Sequence, residues 1–204
     1  MWGERGKMAA NGPKVRVVMI SGISCGGKTT VVKKLCNSVP HSISLHQDDY
    51  YVNEEVVPRS PQGTLHWDCP DALDTNGLAA ALAAIMSQPQ DHCIWCSTES
   101  TATASHVIFI EGTLLLEIQS VMPHINQGFF VTLDYDTSHG RRRARTYPGN
   151  TDPVGYFDKW VWPAYLKNLE AAKHDRRIVL VDGSKSISQL CDTIVLGVEA
   201  GLAC

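Results

Sequence analysis

The strongest constraint on how this chain can fold lies near its start, where three kinds of segment follow one another. "VRVVMI" (15–20) is short, apolar and rich in β-branched residues, which predicts a buried strand. Residues 28–38 predict a helix that ends before a proline. Between them, "GISCGGKT" (22–29) matches the pattern G-x-x-x-x-G-K-[ST] in the strand–loop–helix context that this pattern requires.

The residue types in this loop indicate a polyphosphate site. Glycine permits the tight turn and the close approach that backbone N–H groups need, and the helix N-terminus adds its positive dipole end. Lys28 is predicted to reach the terminal phosphates, and the Thr29 hydroxyl to bind Mg²⁺. We interpret Cys25 as a tolerated small residue, with a redox-sensitive thiol as the alternative. The sequence therefore predicts an ATP or GTP site formed by Gly22, Ile23, Ser24, Cys25, Gly26, Gly27, Lys28, Thr29 and Thr30.

The remaining segments alternate between predicted strands and helices. Further apolar strands are predicted at 42–47, 106–112, 128–135 and 177–183, and helices at 71–86, about 137–145, 156–174 and 186–202. Asp71 is the predicted N-cap of the helix 71–86, and residues 52–70 predict a proline-rich loop. Continuously apolar strands separated by helices are typical of a parallel sheet, so we predict an α/β fold with helices on both faces.

Composition narrows the class of protein. The length of 204 residues fits one domain. The net charge of −3 gives no reason to expect nucleic-acid binding. No apolar run approaches the length of a membrane span, so no membrane association is expected. Residues 1–14 are interpreted as a flexible N-terminal extension without a secretory signal, which leaves 15–204 as a single domain. The oligomeric state stays open, with a monomer slightly favoured.

Cysteine usage predicts the compartment. The chain has seven cysteines, an odd number, which indicates reduced thiols and a cytoplasmic protein. Cys93 and Cys96 form a single C-x-x-C pair in a predicted short strand. We interpret them as buried small side chains, with a redox or zinc pair as the alternative.

Carboxylates follow the predicted strands at the edge of the sheet where ligands bind in such folds. Asp48 and Asp49 come directly after the second strand, and Glu111 lies at the end of the third. Glu111 is the candidate for the magnesium shell, with pairing to a nearby base as the alternative. An acceptor hydroxyl needs a base nearby, and an aspartate after the second strand can reach the mouth of the site. A solvated turn is the alternative, although Tyr50 and Tyr51 make a simple turn less consistent with the sequence.

Two later segments are candidates for recognising an acceptor. Trp67 and Asp68 lie in the loop 52–70, where the tryptophan either packs in the core or stacks on a flat ligand, and the aspartate can bind a ribose diol. The segment 139–147 carries four arginines, which either close over phosphates as a lid or form a solvated basic face. Tyr147 could form a second aromatic wall opposite Trp67, an arrangement that suits a planar cationic ring.

Three classes of protein share such a phosphate loop: GTPase switches, motor ATPases and small-molecule kinases. The guanine-reading N-K-x-D motif and the D-x-x-G motif of GTPases are absent. Motor ATPases are normally larger than this chain. Length and the arginine-rich lid therefore favour a small-molecule kinase.

Several motifs together resemble the nicotinamide riboside kinases, within the wider uridine kinase-like group. The matching pieces are "GISCGGKTT", "QDDYY", "GTLHWD", "IEGTLLL", "RRRARTY", "GYFDKWVWPAYLK" and "LVDGSKS". The resemblance implies a P-loop kinase fold with a lid at about 141–155. It also implies transfer of the ATP γ-phosphate to the 5′-hydroxyl of nicotinamide riboside, giving nicotinamide mononucleotide for NAD synthesis. The alternatives are a uridine/cytidine kinase of the same fold and a regulatory protein that binds nucleotide without turnover.

The resemblance also assigns roles to individual residues. Asp48 would take the hydroxyl proton and would hold Mg²⁺ together with Thr29 and Glu111. The ribose would contact Asp48, Asp49, Tyr50, Tyr51 and Asp68, and the nicotinamide would lie between Trp67 and Tyr147. ATP would contact Arg142, Arg145, Lys185 and Ser186, and Arg143 would contact the substrate. Trp67 stands where the family usually has tyrosine, a change that keeps the stacking surface.

Overall fold

The computed structural model describes residues 15–92, 105–145 and 152–202. Its centre is a parallel five-stranded sheet in the order β2-β3-β1-β4-β5. The strands are β1 (Val15–Gly22), β2 (Ser42–His46), β3 (His106–Glu111), β4 (Gln127–Thr132) and β5 (Ile178–Asp182). Every residue of β3 is buried, as expected for a strand enclosed on both faces. The predicted parallel sheet is confirmed.

The described residues form five α-helices: α1 (Lys28–Ser38), α2 (Thr75–Ser87), α3 (Tyr135–Ala144), α4 (Trp162–His174) and α5 (Ile187–Leu202). On one face, Met19 of β1 shares an apolar cluster with Leu78 of α2. On the opposite face, Ile20 shares a cluster with Val31 of α1 and Ile194 of α5. Successive residues of β1 therefore pack in opposite directions, which confirms that helices flank both faces.

The predicted start of the second helix is wrong. α2 begins at Thr75, and its N-cap is Asp74, whose carboxylate accepts a hydrogen bond from the backbone N–H of Gly77 at 2.8 Å. Asp71 instead lies in the short 3₁₀ helix Pro70–Ala72. The reason is tertiary, because Leu73 is extended and forms an antiparallel bridge with Tyr51. This bridge interrupts the helical path between the two aspartates.

The predicted helix 156–174 is two elements. Residues Phe157–Val161 form a π-helical turn, and α4 continues from Trp162. Pro163 is the second residue of α4, which directly follows this π-helical turn. The turn directs aromatic side chains toward the loop that precedes α2, as described below.

Some predictions fall on residues that the structure does not describe. These are the N-terminal extension 1–14, the cysteines at 93 and 96, and Tyr147. Of the predicted lid, residues 141–144 close α3, and the structure describes the chain again from Asp152. In the parts that are described, no helix combines the length and the apolar character needed to cross a bilayer.

Candidate active site

The glycine-rich loop lies between β1 and α1 and is tied to its own backbone. Gly26 donates its N–H to the carbonyl of Ile23 at 3.2 Å, and Gly27 has a φ of +86°. The buried Lys28 side chain donates to the carbonyls of Gly22 at 3.2 Å and Ile23 at 2.8 Å. No side chain caps the N-terminus of α1, so its first N–H groups are available to an anion.

Lys28 carries a positive charge in this loop, and its surroundings shift its pKa in opposite directions. Burial lowers the pKa of the ammonium, while the negative charges of Glu111 and Asp48 favour its protonated form. The net pKa lies below the ordinary lysine value. A desolvated ammonium interacts more strongly with an incoming phosphate than an exposed one does, because the local dielectric is low.

Cys25 adopts an unusual backbone conformation for a residue with a side chain. Its φ is +59°, in the left-handed region that glycine and asparagine prefer. Its side chain lines the cavity described below. The backbone of Cys25 is therefore strained in a way that a glycine at this position would not be.

Gly22 supports a prediction about stability. An added Cβ would lie 2.2 Å from the carbonyl oxygen of Val131 in the neighbouring strand, and the φ of Gly22 is +123°. Gly22→Ala is therefore expected to lower the free energy of unfolding by about 2–5 kcal/mol, since backbone strain and overpacking add. Urea denaturation measures the change.

Gly140→Ala is the matched control for this prediction. Gly140 lies in α3 with ordinary helical φ, and an added Cβ would meet no atom within 4 Å. The substitution is expected to stabilise the protein by up to about 1 kcal/mol through helix propensity. Equal urea midpoints for Gly22→Ala and the wild type would contradict the steric argument.

Glu111 connects the phosphate loop to the second strand. Its Oε1 accepts hydrogen bonds from the Thr29 hydroxyl at 2.8 Å and from Nδ1 of His46 at 2.9 Å. His46 and Glu111 are register partners at the ends of β2 and β3. Burial alone would raise the pKa of Glu111, but the bond from His46 and the charge of Lys28 hold it below its ordinary value. Glu111 is therefore an ionised carboxylate against the loop.

Asp48 lies in the 3₁₀ helix Gln47–Tyr50, directly after β2. The turn is anchored by Gln47, which is fully buried and whose side-chain oxygen accepts the backbone N–H of Leu114 at 2.9 Å. Desolvation and the negative charge of Glu111 raise the pKa of Asp48, while Lys28 opposes them. His46 and Gln47 were not singled out from sequence, since their partners lie more than sixty residues away.

Lys28, Asp48 and Glu111 line one cavity of about 870 Å³. Its lining combines the exposed part of the phosphate loop with Asp48, Glu111, residues of the loop 52–70 and arginines of α3, of which Arg142 contacts the phosphate loop. The sequence-predicted residues that line it are Ser24, Cys25, Gly27, Lys28, Thr29, Thr30, Asp48, Tyr51, Trp67, Asp68, Glu111, Arg142 and Arg145. Residues distant by up to 121 positions in the chain thus share one surface.

Other predicted residues do not line this cavity. Gly22, Ile23 and Gly26 belong to the phosphate loop but are buried. Asp49, Tyr50, Arg143, Lys185 and Ser186 are described by the structure but are not among the lining residues. Ser186 accepts the N–H of Gln189 near the start of α5. Arg141, which was not assigned a role, does line the cavity and donates to the carbonyl of Gly183 at 3.4 Å.

Arg142 joins the lid to the phosphate loop. Its guanidinium donates to both carboxylate oxygens of Asp152, at 2.5 and 3.1 Å, and to the hydroxyl of Ser24 at 2.9 Å. A second carboxylate, Asp68, lies 3.9 Å away. The bidentate geometry holds the planar guanidinium in one orientation at the cavity wall.

An aromatic wall and a carboxylate also line the cavity. The rings of Trp67 and Tyr51 meet edge to face, with centroids 5.6 Å apart. Asp68 is buried and accepts a hydrogen bond from the hydroxyl of Tyr156 at 3.0 Å. Tyr156 was not predicted, although a tyrosine in "GYFDKW" with a polar tip and an aromatic ring is a signal for such a contact.

Solved structures of small-molecule kinases share this architecture. A sugar kinase from Janibacter sp. HTCC2649 matches with a TM-score of 0.57 and 17% identity, covering 91% of this chain and 95% of that chain. A possible uridine kinase from Bacillus stearothermophilus matches with a TM-score of 0.51 and 19% identity, covering 85% and 91%. Together with the strand–loop–helix phosphate cradle, this likeness defines a P-loop kinase fold.

Sequence relatives narrow that class to one family. Nicotinamide riboside kinase 2 from Mus musculus is 32% identical over 173 residues, covering 83% of this chain and 88% of that protein. Nicotinamide riboside kinase 1 from Homo sapiens is 31% identical, covering 87% and 88%. The chain belongs to the nicotinamide riboside kinase family. A uridine kinase from Leuconostoc citreum is more distant, at 28% identity over 86% of this chain. No protein-family model matches the chain.

Proposed function

We propose that this protein transfers the γ-phosphate of ATP to the 5′-hydroxyl of nicotinamide riboside, forming nicotinamide mononucleotide for NAD biosynthesis. The observation that carries the proposal is the shared cavity. Lys28 and Asp48, the residues suited to phosphate transfer, line it together with Trp67 and Asp68, the residues suited to binding a nucleoside. Membership of the family supports the choice of acceptor.

On the donor side, the loop would hold the ATP phosphates with backbone N–H groups and the start of α1. Lys28 would neutralise charge on the terminal phosphates. Its position supports this role, because the side chain is already fixed by two carbonyls at the base of the loop. Arg142 and Arg145 would add charge from the lid side of the same cavity.

The oxygen donors beside the loop fit a magnesium ion. Thr29 supplies a hydroxyl and Glu111 and Asp48 supply carboxylates, which are the ligand types that this hard cation prefers. Within the described residues, no group of three or more His, Cys, Asp or Glu side chains could hold a metal. Such a sparse set suits Mg²⁺, which keeps waters and phosphate oxygens in its shell. When bound, the ion would neutralise charge that develops on the transferred phosphate.

Asp48 would act as the base. Its carboxylate would take the proton of the 5′-hydroxyl while the new bond forms between that oxygen and the γ-phosphorus. The bond from the γ-phosphorus to the bridging oxygen breaks, and ADP leaves with the bond's electron pair. The raised pKa of Asp48 supports this role, because a carboxylate nearer the working pH is a better proton acceptor.

On the acceptor side, Trp67 would present a π-face to the nicotinamide ring. That ring is positively charged in the riboside, so cation–π attraction adds to stacking. Asp68 would accept hydrogen bonds from ribose hydroxyls, and the edge-to-face contact with Tyr51 would hold the indole in place. An aromatic wall of this kind favours a cationic ring over a neutral uracil.

The acceptor can be tested directly by supplying Mg-ATP with nicotinamide riboside, with uridine, or with no acceptor, and measuring ADP release. We expect release above background with nicotinamide riboside. Release with uridine alone would show that the acceptor is uridine, the nucleoside in the name of the more distant relative. No release above background with either nucleoside would indicate a protein that binds nucleotide and phosphorylates neither of them.

A further inference from the structure

A buried tyrosine outside the set used above contacts both acceptor-side residues at once. Tyr156 is 3% exposed. Its hydroxyl accepts the backbone N–H of Trp67 at 2.9 Å and donates to Oδ2 of Asp68 at 3.0 Å. One phenol oxygen thus links the backbone of the aromatic wall to the carboxylate beside it.

The charges around this hydroxyl keep it a donor. Burial, followed by the negative charge of Asp68, raises the pKa of Tyr156 far above its ordinary value, so the phenol stays neutral. Asp68 is itself 9% exposed, and burial raises the pKa of its carboxyl group. Arg142 and the bond from Tyr156 act in the opposite direction and favour the ionised carboxylate. On balance the pKa of Asp68 lies above its ordinary value, and the phenol is one of the two main groups that oppose this rise.

The contact also fixes the orientation of the Asp68 carboxylate. Among the described residues, both the phenol and the nearer guanidinium nitrogen of Arg142 contact Oδ2, the latter at 3.9 Å. The guanidinium carbon of Arg142 lies 5.7 Å from the centroid of the Tyr156 ring, within cation–π range. With Oδ2 held in this way, the Asp68 carboxylate has a fixed orientation at the cavity wall and keeps further lone pairs to accept hydroxyl groups.

The element that carries Tyr156 is built to hold this loop. The π-helical turn begins directly after it, and Trp160 lies one turn further on. The Trp160 ring stacks on His66, with centroids 3.9 Å apart and planes tilted by 34°. The neighbouring residues Trp67 and His66 are therefore held by Tyr156 and by Trp160 of the turn that follows it. π-helical turns in proteins are frequently found at functional sites.

We propose that Tyr156 is a positioning residue of the acceptor site, which orients the Asp68 carboxylate and the backbone of Trp67. The proposal rests on the proposed function and adds a residue to it. Tyr156 acts through its neighbours and does not touch the reacting atoms. Loss of its hydroxyl therefore weakens acceptor binding more than it slows phosphate transfer.

Tyr156→Phe isolates this contribution, because it removes one oxygen and keeps the ring that faces Arg142. We expect the KM for the nucleoside to rise about tenfold, the KM for ATP to stay within about twofold, and kcat to fall less than about threefold. Steady-state kinetics with each substrate varied in turn measure the split. Tyr165→Phe is the matched control, since that buried tyrosine donates to the carbonyl of Leu133 at 3.4 Å and is not among the residues that line the cavity. Its nucleoside KM is expected to equal that of the wild type.

A double-mutant cycle separates positioning from a general loss of stability. In an Asp68→Ala background, Tyr156→Phe is expected to change the nucleoside KM by no more than about threefold, because only the contact with the backbone of Trp67 is then left to lose. A tenfold effect that persists in that background would overturn the proposal, and so would an unchanged KM in the single variant. Thermal unfolding of each variant is measured alongside.

The comparison uses whichever of nicotinamide riboside and uridine the wild type phosphorylates. Turnover of uridine alone overturns the proposed acceptor, yet the KM comparison then tests Tyr156 with uridine. Turnover of neither nucleoside overturns both proposals, since no acceptor is then positioned. Turnover of nicotinamide riboside with an unchanged KM in Tyr156→Phe overturns the positioning role alone.

Discussion

Asp48→Asn is expected to lower kcat by about 10²–10⁴-fold, the usual contribution of a positioned general base. The amide keeps the size of the side chain and removes its ability to take a proton. Asp48 lines the cavity beside Lys28 and Glu111, and the turn that carries it is anchored by the buried Gln47. The substitution therefore changes the chemistry of one group without loosening the backbone that presents it.

Nucleotide affinity is expected to behave differently in the same variant. Asp48 and Glu111 both place negative charge near the site of a negatively charged triphosphate. Removing one of these charges is expected to leave the affinity for ATP, measured without Mg²⁺, unchanged or slightly tighter. Single-turnover kinetics with nicotinamide riboside measure the transfer step, and titration calorimetry measures ATP binding.

A matched aspartate tests whether the effect is specific to position. Asp192 is exposed on α5, on the surface of the molecule and outside the cavity lining. Asp192→Asn is expected to retain wild-type kcat. A kcat for Asp48→Asn within a factor of three of the wild type would show that another group takes the proton, and the role of Asp48 would be given up.

Lys28→Met is expected to reduce kcat by about 10²–10³-fold, as removal of one preorganised charge donor does in other active sites. Methionine keeps the length and apolar stem of lysine but carries no charge. In the wild type the ammonium is desolvated and held by the carbonyls of Gly22 and Ile23. Because it is already fixed before ATP binds, little reorganisation is needed when charge moves to the leaving phosphate oxygen.

This prediction differs from the one for Asp48 in its effect on ATP. The KM for ATP is expected to rise together with the fall in kcat, because Lys28 would contact the phosphates in both the bound and the transition state. Lys34→Met is the control, since Lys34 is exposed on α1 in the same helix. Wild-type values of both constants in Lys28→Met would contradict the assignment of the phosphate loop.

The local part of this site was predictable because its causes are local. The spacing of glycines, the lysine and the threonine in 22–29 sets both the turn and the start of α1, and the structure confirms the strand, loop and helix around them. The parallel sheet was predictable because buried strands must be continuously apolar. The helix cap at Asp71 was predicted wrongly, because the Tyr51–Leu73 bridge that moves it to Asp74 joins residues twenty-two positions apart.

The contacts that organise the acceptor side were not predictable in the same way. Tyr156 and Asp68 are 88 residues apart, and Arg142 and Ser24 are 118 residues apart. A tyrosine in "GYFDKW" reads equally well as core or as surface until its neighbours are known. The basic segment was expected as a lid, yet which arginine reaches the phosphate loop depends on how α3 packs.

The sequence by itself determined the phosphate cradle, the parallel sheet and the set of carboxylates at its edge, because short-range backbone preferences and burial patterns specify them. Only the tertiary structure decided that Glu111 pairs with His46 and Thr29, that Arg142 reaches Ser24, and that Tyr156 holds Asp68. The physical reason is that a hydrogen bond depends on distance and direction in space. Those are settled by the packing of whole elements, which no short stretch of sequence contains.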